Sequence, residues 1–200
     1  MDVIAKLNVL IETNFVDIDN EKYFELVNDL GYSIESQNKF INYVLQNSLS
    51  IENEYKIFIL LREVYGLEPY ENYKLNLMEL YSWVLNLMFK EKLYDYSICY
   101  KFSDLLVMMS KNVKQVYMDI INMVDINQPI SVQIAVCSMY GVHRFGNYKE
   151  LTELFLDKIL LSIEKNENNE GIIEDMNNFI GEILKLKEYE GRFGAYLAKK

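Results

Sequence analysis

The sequence predicts an all-α fold, and three features of its 200 residues support that class. Apolar residues recur at i, i+3, i+4 and i+7 along most of the chain, which is the spacing of amphipathic helices. The apolar–polar alternation of half-buried strands is not sustained, and no Asn-Gly or Asp-Gly hairpin signal occurs. Only two prolines and eight glycines interrupt the pattern. We therefore expect about ten antiparallel helices joined by short loops.

The first half of the chain contains five predicted helices, which cover about residues 2–14, 20–30, 36–48, 50–65 and 69–91. An apolar stripe that begins at Val3 defines the first of them. Gly31 and Gly66 suit the left-handed position that follows a helix. Ser36 and Ser50 suit N-caps, because a serine hydroxyl can accept a hydrogen bond from the first helical turn.

The second half contains the other five helices, which are predicted at about residues 96–110, 112–125, 128–141, 147–165 and 170–188. Apolar stripes that begin at Val113 and Leu156 define two of them. Asn147, with Glu150 three residues later, resembles a capping box. Residues 130–142 are apolar on nearly every face, so this helix is expected near the centre of the fold.

The arrangement of these helices has two interpretations. Similar apolar stretches begin at Phe40, Tyr81, Met118 and Leu156, at intervals of roughly 40 residues, which is the length of a two-helix repeat. This spacing favours an α-solenoid of the HEAT type, but an irregular helical bundle with helices of similar length would show it too. No Pro- or Gly-rich linker divides the chain, so we expect a single all-helical domain over residues 1–200.

The chain carries a formal net charge of −10, and most of it lies in the first half. Residues 1–100 hold 16 acidic and 8 basic residues, whereas residues 101–200 hold 14 and 12. A negative field repels nucleic acid and anionic membranes and attracts basic proteins. We therefore expect a basic protein as the partner, and neither nucleic acid nor a membrane.

The cellular compartment is predicted from targeting signals and cysteine usage. The sequence shows no secretory signal and no apolar run of the roughly 18–20 residues that span a bilayer. Cys99 and Cys137 are far apart and lack the CxxC spacing of a redox or metal site. These features predict a cytoplasmic protein in a reducing environment.

Motifs that would indicate catalysis or a cofactor do not occur in the sequence. His143 is the single histidine, and together with two separate cysteines it does not provide the ligands of a zinc site. The acidic stretch 17–21 fails as a calcium loop because the sixth position is Lys22 rather than glycine. No glycine-rich phosphate loop is present. We therefore predict no catalytic residue, no cofactor and no metal ligand.

One edge of the predicted helical array is expected to be acidic. If consecutive helices run up and down, the loops near residues 48–52, 91–96, 125–128 and 165–170 lie at the same edge. Acidic residues outnumber basic ones around these loops, whereas the opposite edge is nearly balanced. Tyrosines at this edge suit binding, since tyrosine offers a large contact area at low entropic cost. The predicted partner-binding residues, called the acidic rim from here on, are Glu52, Glu54, Glu91, Tyr94, Asp95, Tyr96, Asp125, Glu167 and Glu170.

These features favour a protein that binds another protein and is not an enzyme. In size, acidity and helical character the chain resembles the α-helical immunity proteins of bacterial polymorphic and contact-dependent toxin systems, although no residue motif carries the resemblance. It implies an intracellular protein that binds a toxin, such as a nuclease, and occludes its basic active site. Two alternatives stay open: a helical-repeat adaptor or regulatory scaffold, and an enzyme whose site uses only Asp, Glu, Tyr and Lys.

Replacing both Cys99 and Cys137 with serine or alanine is expected to change stability and to leave partner binding intact. Both residues lie in apolar helical stretches, where cysteine behaves as a small buried side chain. Thermal unfolding and partner binding of the double variant measure the two effects. A variant that folds normally but no longer binds would contradict this structural role.

Overall fold

The computed structural model describes residues 2–13, 20–66, 77–93, 95–143 and 148–165, together with residues 174 and 178. All regular secondary structure in these ranges is helical and they contain no strand, which confirms the predicted all-α class. The α-helices are α1 (Val3–Glu12), α2 (Asn20–Tyr32), α3 (Ile34–Gln46), α4 (Ile51–Gly66), α5 (Tyr81–Met88), α6 (Tyr96–Ser110), α7 (Val113–Met123), α8 (Pro129–His143) and α9 (Lys149–Lys165).

The helices form two compact units. The first contains Met1–Lys92 and Asp104–Lys111, and the second contains Leu93–Ser103 and Asn112–Lys200. Helix α6 therefore contributes its first half to the second unit and its second half to the first. Within each unit the helices pack against one another as a bundle. The regular solenoid and the single domain over residues 1–200 both stay predictions.

Helix α2 is central to the first unit, where it packs against α1, α3 and α4. Leu26 and Leu30 of α2 are fully buried there, together with the large rings of Phe40 and Phe58 from its neighbours. Burying side chains of this size stabilises a fold by about 1.5–3 kcal/mol each. A 3₁₀ turn at Leu77–Leu80 packs against α3 and leads directly into α5.

Helix α8 is central to the second unit, as the sequence predicted. Six consecutive residues, 134–139, are buried, so this helix is covered on several faces. It packs against both α7 and α9. Helices α7 and α9 also contact each other, and the buried hydroxyl of Tyr117 lies 2.9 Å from the hydroxyl of Thr152. This hydrogen bond satisfies both groups where water has little access.

In the first unit, buried side chains bind the last-turn carbonyls of other helices. The last four carbonyl groups of an α-helix have no backbone N–H partner within the helix, so they need another hydrogen-bond donor. The Lys56 side chain of α4 is 3% exposed, and its Nζ donates to the carbonyl oxygens of Ile11 at 2.7 Å and Thr13 at 2.9 Å. The buried Gln37 amide of α3 likewise donates to the carbonyl oxygen of Leu30, at 2.8 Å. These bonds fix the ends of α1 and α2.

The second unit repeats this arrangement with a different pair of helices. Lys158 of α9 donates from Nζ to the carbonyl oxygen of Ile121, at 2.7 Å, in the last turn of α7. Partial burial lowers the pKa of Lys158, because it removes water from the ammonium group. The hydrogen bond to the α7 carbonyl replaces part of that lost hydration.

Several predicted capping residues are wrong. Gly31 lies inside α2 and Gly66 is the last residue of α4, and no glycine in the described ranges has a left-handed backbone. Helix α3 begins earlier than predicted, because Ser33 is its N-cap: the Ser33 hydroxyl accepts a hydrogen bond from the Ser36 N–H at 3.2 Å. The Ser50 prediction is confirmed, since its hydroxyl accepts from the first turn of α4 at 3.3 Å.

Other predicted elements are shorter than expected or lie outside the described residues. In place of one helix over 69–91, residues 77–93 contain the 3₁₀ turn, α5 and a second 3₁₀ turn at Glu91–Leu93. The capping residue Asn147 lies outside the described residues. So does most of the helix predicted at 170–188, apart from residues 174 and 178, which are helical.

Replacing Lys56 with methionine is expected to lower the free energy of unfolding by about 2 kcal/mol or more. Methionine keeps the apolar length of the side chain but leaves two carbonyl oxygens at the end of α1 without their donor. Lys39→Met is the control, because Lys39 is 46% exposed and its ion pairs with Asp2 and Glu35 lie in solvent. Urea denaturation compares the two variants, and equal losses of stability would contradict a role for the buried bonds.

Candidate functional site

Three residues of the acidic rim belong to the first unit, and they gather where α4 begins. Glu52 and Glu54 lie in the first turn of α4, a position that suits acidic residues because of the helix dipole. The Glu54 carboxylate is bound by the ammonium group of Lys90. Glu91 directly follows Lys90, so this ion pair holds Glu91 close to the start of α4.

The three carboxylates differ in how much charge they present to a partner. The Glu54 side chain is only 12% exposed and is neutralised by Lys90. Glu52 is 69% exposed, and its carboxylate lies 3.4 Å from the buried ammonium group of Lys56. Glu91 is exposed in the 3₁₀ turn. Glu52 and Glu91 are therefore the residues through which this part of the rim can act on another protein.

Two further rim carboxylates lie in the second unit, and each organises its own loop. The Asp95 carboxylate accepts hydrogen bonds from the Ser97 hydroxyl, from the Ser97 N–H at 2.8 Å and from the Ile98 N–H at 3.3 Å. These bonds, with the Ser97 hydroxyl first, lower the pKa of Asp95. The Asp125 carboxylate accepts from the backbone and side-chain nitrogens of Asn127, at 2.9 and 3.0 Å. Asp95 thus caps the first turn of α6, and Asp125 closes the turn before α8.

The remaining rim residues are two tyrosines and two acids whose side chains lie outside the described part of the chain. Tyr94, Glu167 and Glu170 lie outside the described residues. Tyr96 is the first residue of α6, and its side chain is outside the described part. The structure thus groups Glu52, Glu54 and Glu91 within the first unit, and the rim as one continuous surface stays a prediction.

Ion pairs within the first unit are a feature that the sequence pattern did not reveal. Lys6 of α1 lies 2.9 Å from both Glu25 and Asp29 of α2, and hydrogen bonds to these carboxylates, Glu25 first, raise its pKa. Lys39, Lys56 and Lys90 also contact oxygens of the same unit. Spacing could reveal the i,i+4 pair between Glu35 and Lys39, but contacts between helices need the fold.

The charge asymmetry of the chain follows the division into units. By sequence, the first unit holds 16 acidic and 9 basic residues, and the second holds 14 and 11. Four lysines of the first unit, Lys6, Lys39, Lys56 and Lys90, contact its own carboxylates or carbonyls. Exposed carboxylates such as Glu52, Glu79 and Glu91 remain at its surface. The first unit therefore carries a formal charge of −7, and its negative field is the stronger of the two.

The described ranges contain two cysteines and, in the first unit, a small groove. Cys99 and Cys137 are buried, and burial, with a smaller contribution from Cys137, raises the pKa of Cys99 to about 12. This thiol is therefore protonated at neutral pH, whereas the thiolate is the nucleophile. A small apolar groove between α1 and α2, next to Tyr23, has a volume of about 20 Å³, which is room for about one water molecule.

The same ranges contain neither a potential metal-binding cluster nor a membrane-spanning helix. His, Cys, Asp and Glu side chains of the described residues do not gather in a group of three that could hold a metal ion. No described helix combines the length and apolar character that crossing a bilayer requires. No protein-family model, curated protein or solved structure matches this chain.

Replacing Asp95 with alanine is expected to destabilise α6 at neutral pH, because the variant lacks the acceptor for three hydrogen bonds. The pKa of Asp95 is lower in the folded protein than in the unfolded chain. Its charge therefore stabilises the fold at pH values above the ordinary aspartate pKa of about 3.9. This contribution disappears as the pH falls through the lowered pKa. The stability difference between wild type and Asp95→Ala should therefore shrink in acid.

Thermal unfolding from neutral pH to strongly acidic pH measures this difference. Asp95→Asn is the matched control, since its amide oxygen keeps an acceptor in the same place. A difference between wild type and Asp95→Ala that stays constant over the whole pH range would show that the carboxylate charge does not support the cap.

Proposed function

We propose that this protein acts by binding a basic protein partner, and specifically that it is an intracellular immunity protein of a bacterial competition system. In this role it binds a toxin domain, such as a nuclease, and covers the basic cleft that holds the active site. In this role the protein works through its surface and performs no chemistry of its own.

The observation that carries the proposal is the negative charge of the first unit. Its lysines Lys6, Lys39 and Lys90 are held by carboxylates of the same unit, and Lys56 is buried. Acidic residues still exceed basic ones by seven in that unit, so its net field is negative at the surface. Glu52 and Glu91 are two of these acidic residues, and both are exposed near the start of α4.

A surface of this kind suits inhibition of an enzyme that acts on nucleic acid. Such an enzyme presents a basic cleft to the phosphate backbone of its substrate. A negatively charged protein is attracted to that cleft at long range, which raises the association rate. Once bound, it occupies the site of the polyanionic substrate, so binding alone is sufficient for inhibition.

The decisive experiment mixes the purified protein with the product of the neighbouring gene, which we expect to contain the toxin domain. Size-exclusion chromatography measures the complex, and the activity of the toxin domain is assayed with and without the protein. We expect a one-to-one complex in which that activity is lost. Complexes with several unrelated proteins would indicate an adaptor instead, and an acidic partner would remove the electrostatic basis of the proposal.

Reversing the charge of Glu52 is expected to slow association with the toxin domain several-fold more than the same change at Glu35. The two residues are closely matched. Each is exposed, lies in the first turn of its helix and precedes a lysine by four positions. They differ in position, because Glu35 lies at the start of α3 whereas Glu52 lies at the start of α4, which follows the other end of α3. The length of α3, about 20 Å, exceeds the Debye length of about 10 Å at 0.1 M salt.

Stopped-flow association rates of Glu52→Lys, Glu91→Lys and Glu35→Lys over a salt series measure this effect. Glu54 and Asp95 are left unchanged, because Glu54 is largely covered and paired with Lys90 and Asp95 caps α6. High salt should bring the rates together, since screening removes long-range attraction. Equal slowing by Glu52→Lys and Glu35→Lys would show that overall acidity, and not the start of α4, guides the encounter.

A further inference from the structure

Helix α9 of the second unit has two chemically different faces. Its core face packs against α7 and α8 and contains the buried residues Thr152, Phe155, Leu156, Ile159, Ser162 and Ile163. Leu154 and Leu161 lie on the opposite face and are 47% and 46% exposed. Residues seven apart on a helix are separated by only about 20° around its axis, so the two leucines form one apolar stripe.

An acidic stripe runs beside these leucines with the same spacing. Glu150, Asp157 and Glu164 are each seven residues apart, and all three are exposed. Each acid lies four or three residues from a leucine of the apolar stripe, which places the two stripes side by side along the helix. The outer face of α9 therefore combines two exposed leucines with three carboxylates in a repeat of seven residues.

The lysines on the leucine side of this face are turned towards their own unit. Lys158 donates from Nζ to the carbonyl oxygen of Ile121 at 2.7 Å. Lys165 donates from Nζ to the side-chain oxygen of Asn127 at 2.9 Å. These contacts hold both ammonium groups against the second unit, beside the connection between α7 and α8, while the acidic stripe lies on the solvent side of α9.

We propose that the outer face of α9 is a docking surface for a basic amphipathic helix of a partner protein. A repeat of seven residues is the spacing at which two helices keep contact along a common seam. Apolar residues of the partner helix would cover Leu154 and Leu161, and its lysines or arginines would lie against Glu150, Asp157 and Glu164. The negative charge of the stripe selects a basic helix over an acidic or neutral one.

This inference goes beyond the proposed function and does not rest on it. The surface lies in the second unit, whereas the toxin-binding proposal is carried by the first. A protein that neutralises no toxin could still bind a basic helix through α9. Conversely, neutralisation through Glu52 and Glu91 does not require α9.

The test uses the full chain and three labelled synthetic peptides of about 21 residues, which is three repeats of seven. The first peptide places leucines and lysines on adjacent stripes at seven-residue spacing. The second has the same composition with both residue types distributed around the helix, and the third replaces every lysine of the first with glutamate. Fluorescence anisotropy measures binding of each peptide at low and high salt.

The first peptide is expected to bind, and the other two to bind at least tenfold more weakly. Leu154→Ala with Leu161→Ala should weaken binding of the first peptide about tenfold at all salt concentrations. Glu150→Lys with Glu164→Lys should weaken it mainly at low salt, since screening removes the charge contribution. The matched control combines Leu45→Ala with Glu35→Lys on α3, where both side chains are also exposed, and should leave binding unchanged.

Several results would overturn the proposal. Equal binding of all three peptides, no binding of the first, or equal losses in the α9 variants and the α3 control would exclude a specific docking face. A change of sedimentation coefficient in the leucine variant would show that a second copy of the chain covers the leucines. A large drop in its melting temperature would show that the chain covers them itself.

Discussion

Three helices of this protein, α1, α2 and α7, end in carbonyl groups that accept hydrogen bonds from side chains of other helices. Lys56 binds the end of α1, and Gln37 binds the end of α2 in the same unit. Lys158 binds the end of α7 in the other unit. A glycine cap would satisfy these carbonyls locally, whereas a lysine or glutamine from another helix also fixes how the two helices pack. The hydrogen bonds that terminate these three helices therefore also hold them against their neighbours.

The order and type of the helices could be predicted from the sequence because apolar periodicity reports directly on which face is buried. The all-round apolar character of residues 130–142 predicted the central position of α8 for the same reason. Capping residues were predicted less well, since Gly31 and Gly66 have the right residue type but belong to their helices and lack the left-handed backbone of a cap. At the end of α2 the Leu30 carbonyl is bound by the Gln37 amide of the next helix, and no local capping rule identifies that partner.

The acidic rim illustrates a similar limit for the candidate site. Glu52 and Glu54 are two residues apart and look equivalent in the sequence, yet only Glu52 is exposed, because Lys90 covers Glu54. Asp95 was predicted as a partner-binding residue, and in the structure its carboxylate holds the start of α6. Net charge could be predicted from composition alone. Ion pairs between helices determine which carboxylates remain exposed to a partner, and these pairs exist only once the chain has folded.

The bond between Lys56 and the end of α1 has a consequence for how the sequence can diverge. Its acceptors are backbone atoms, so the bond requires the lysine but no particular side chain at positions 11 and 13. Comparison of relatives would therefore show an invariant buried lysine without any position that varies together with it. Changes in the length of α1 would be the exception, because one deleted residue rotates the helix end by about 100° and carries the carbonyls away from the ammonium group.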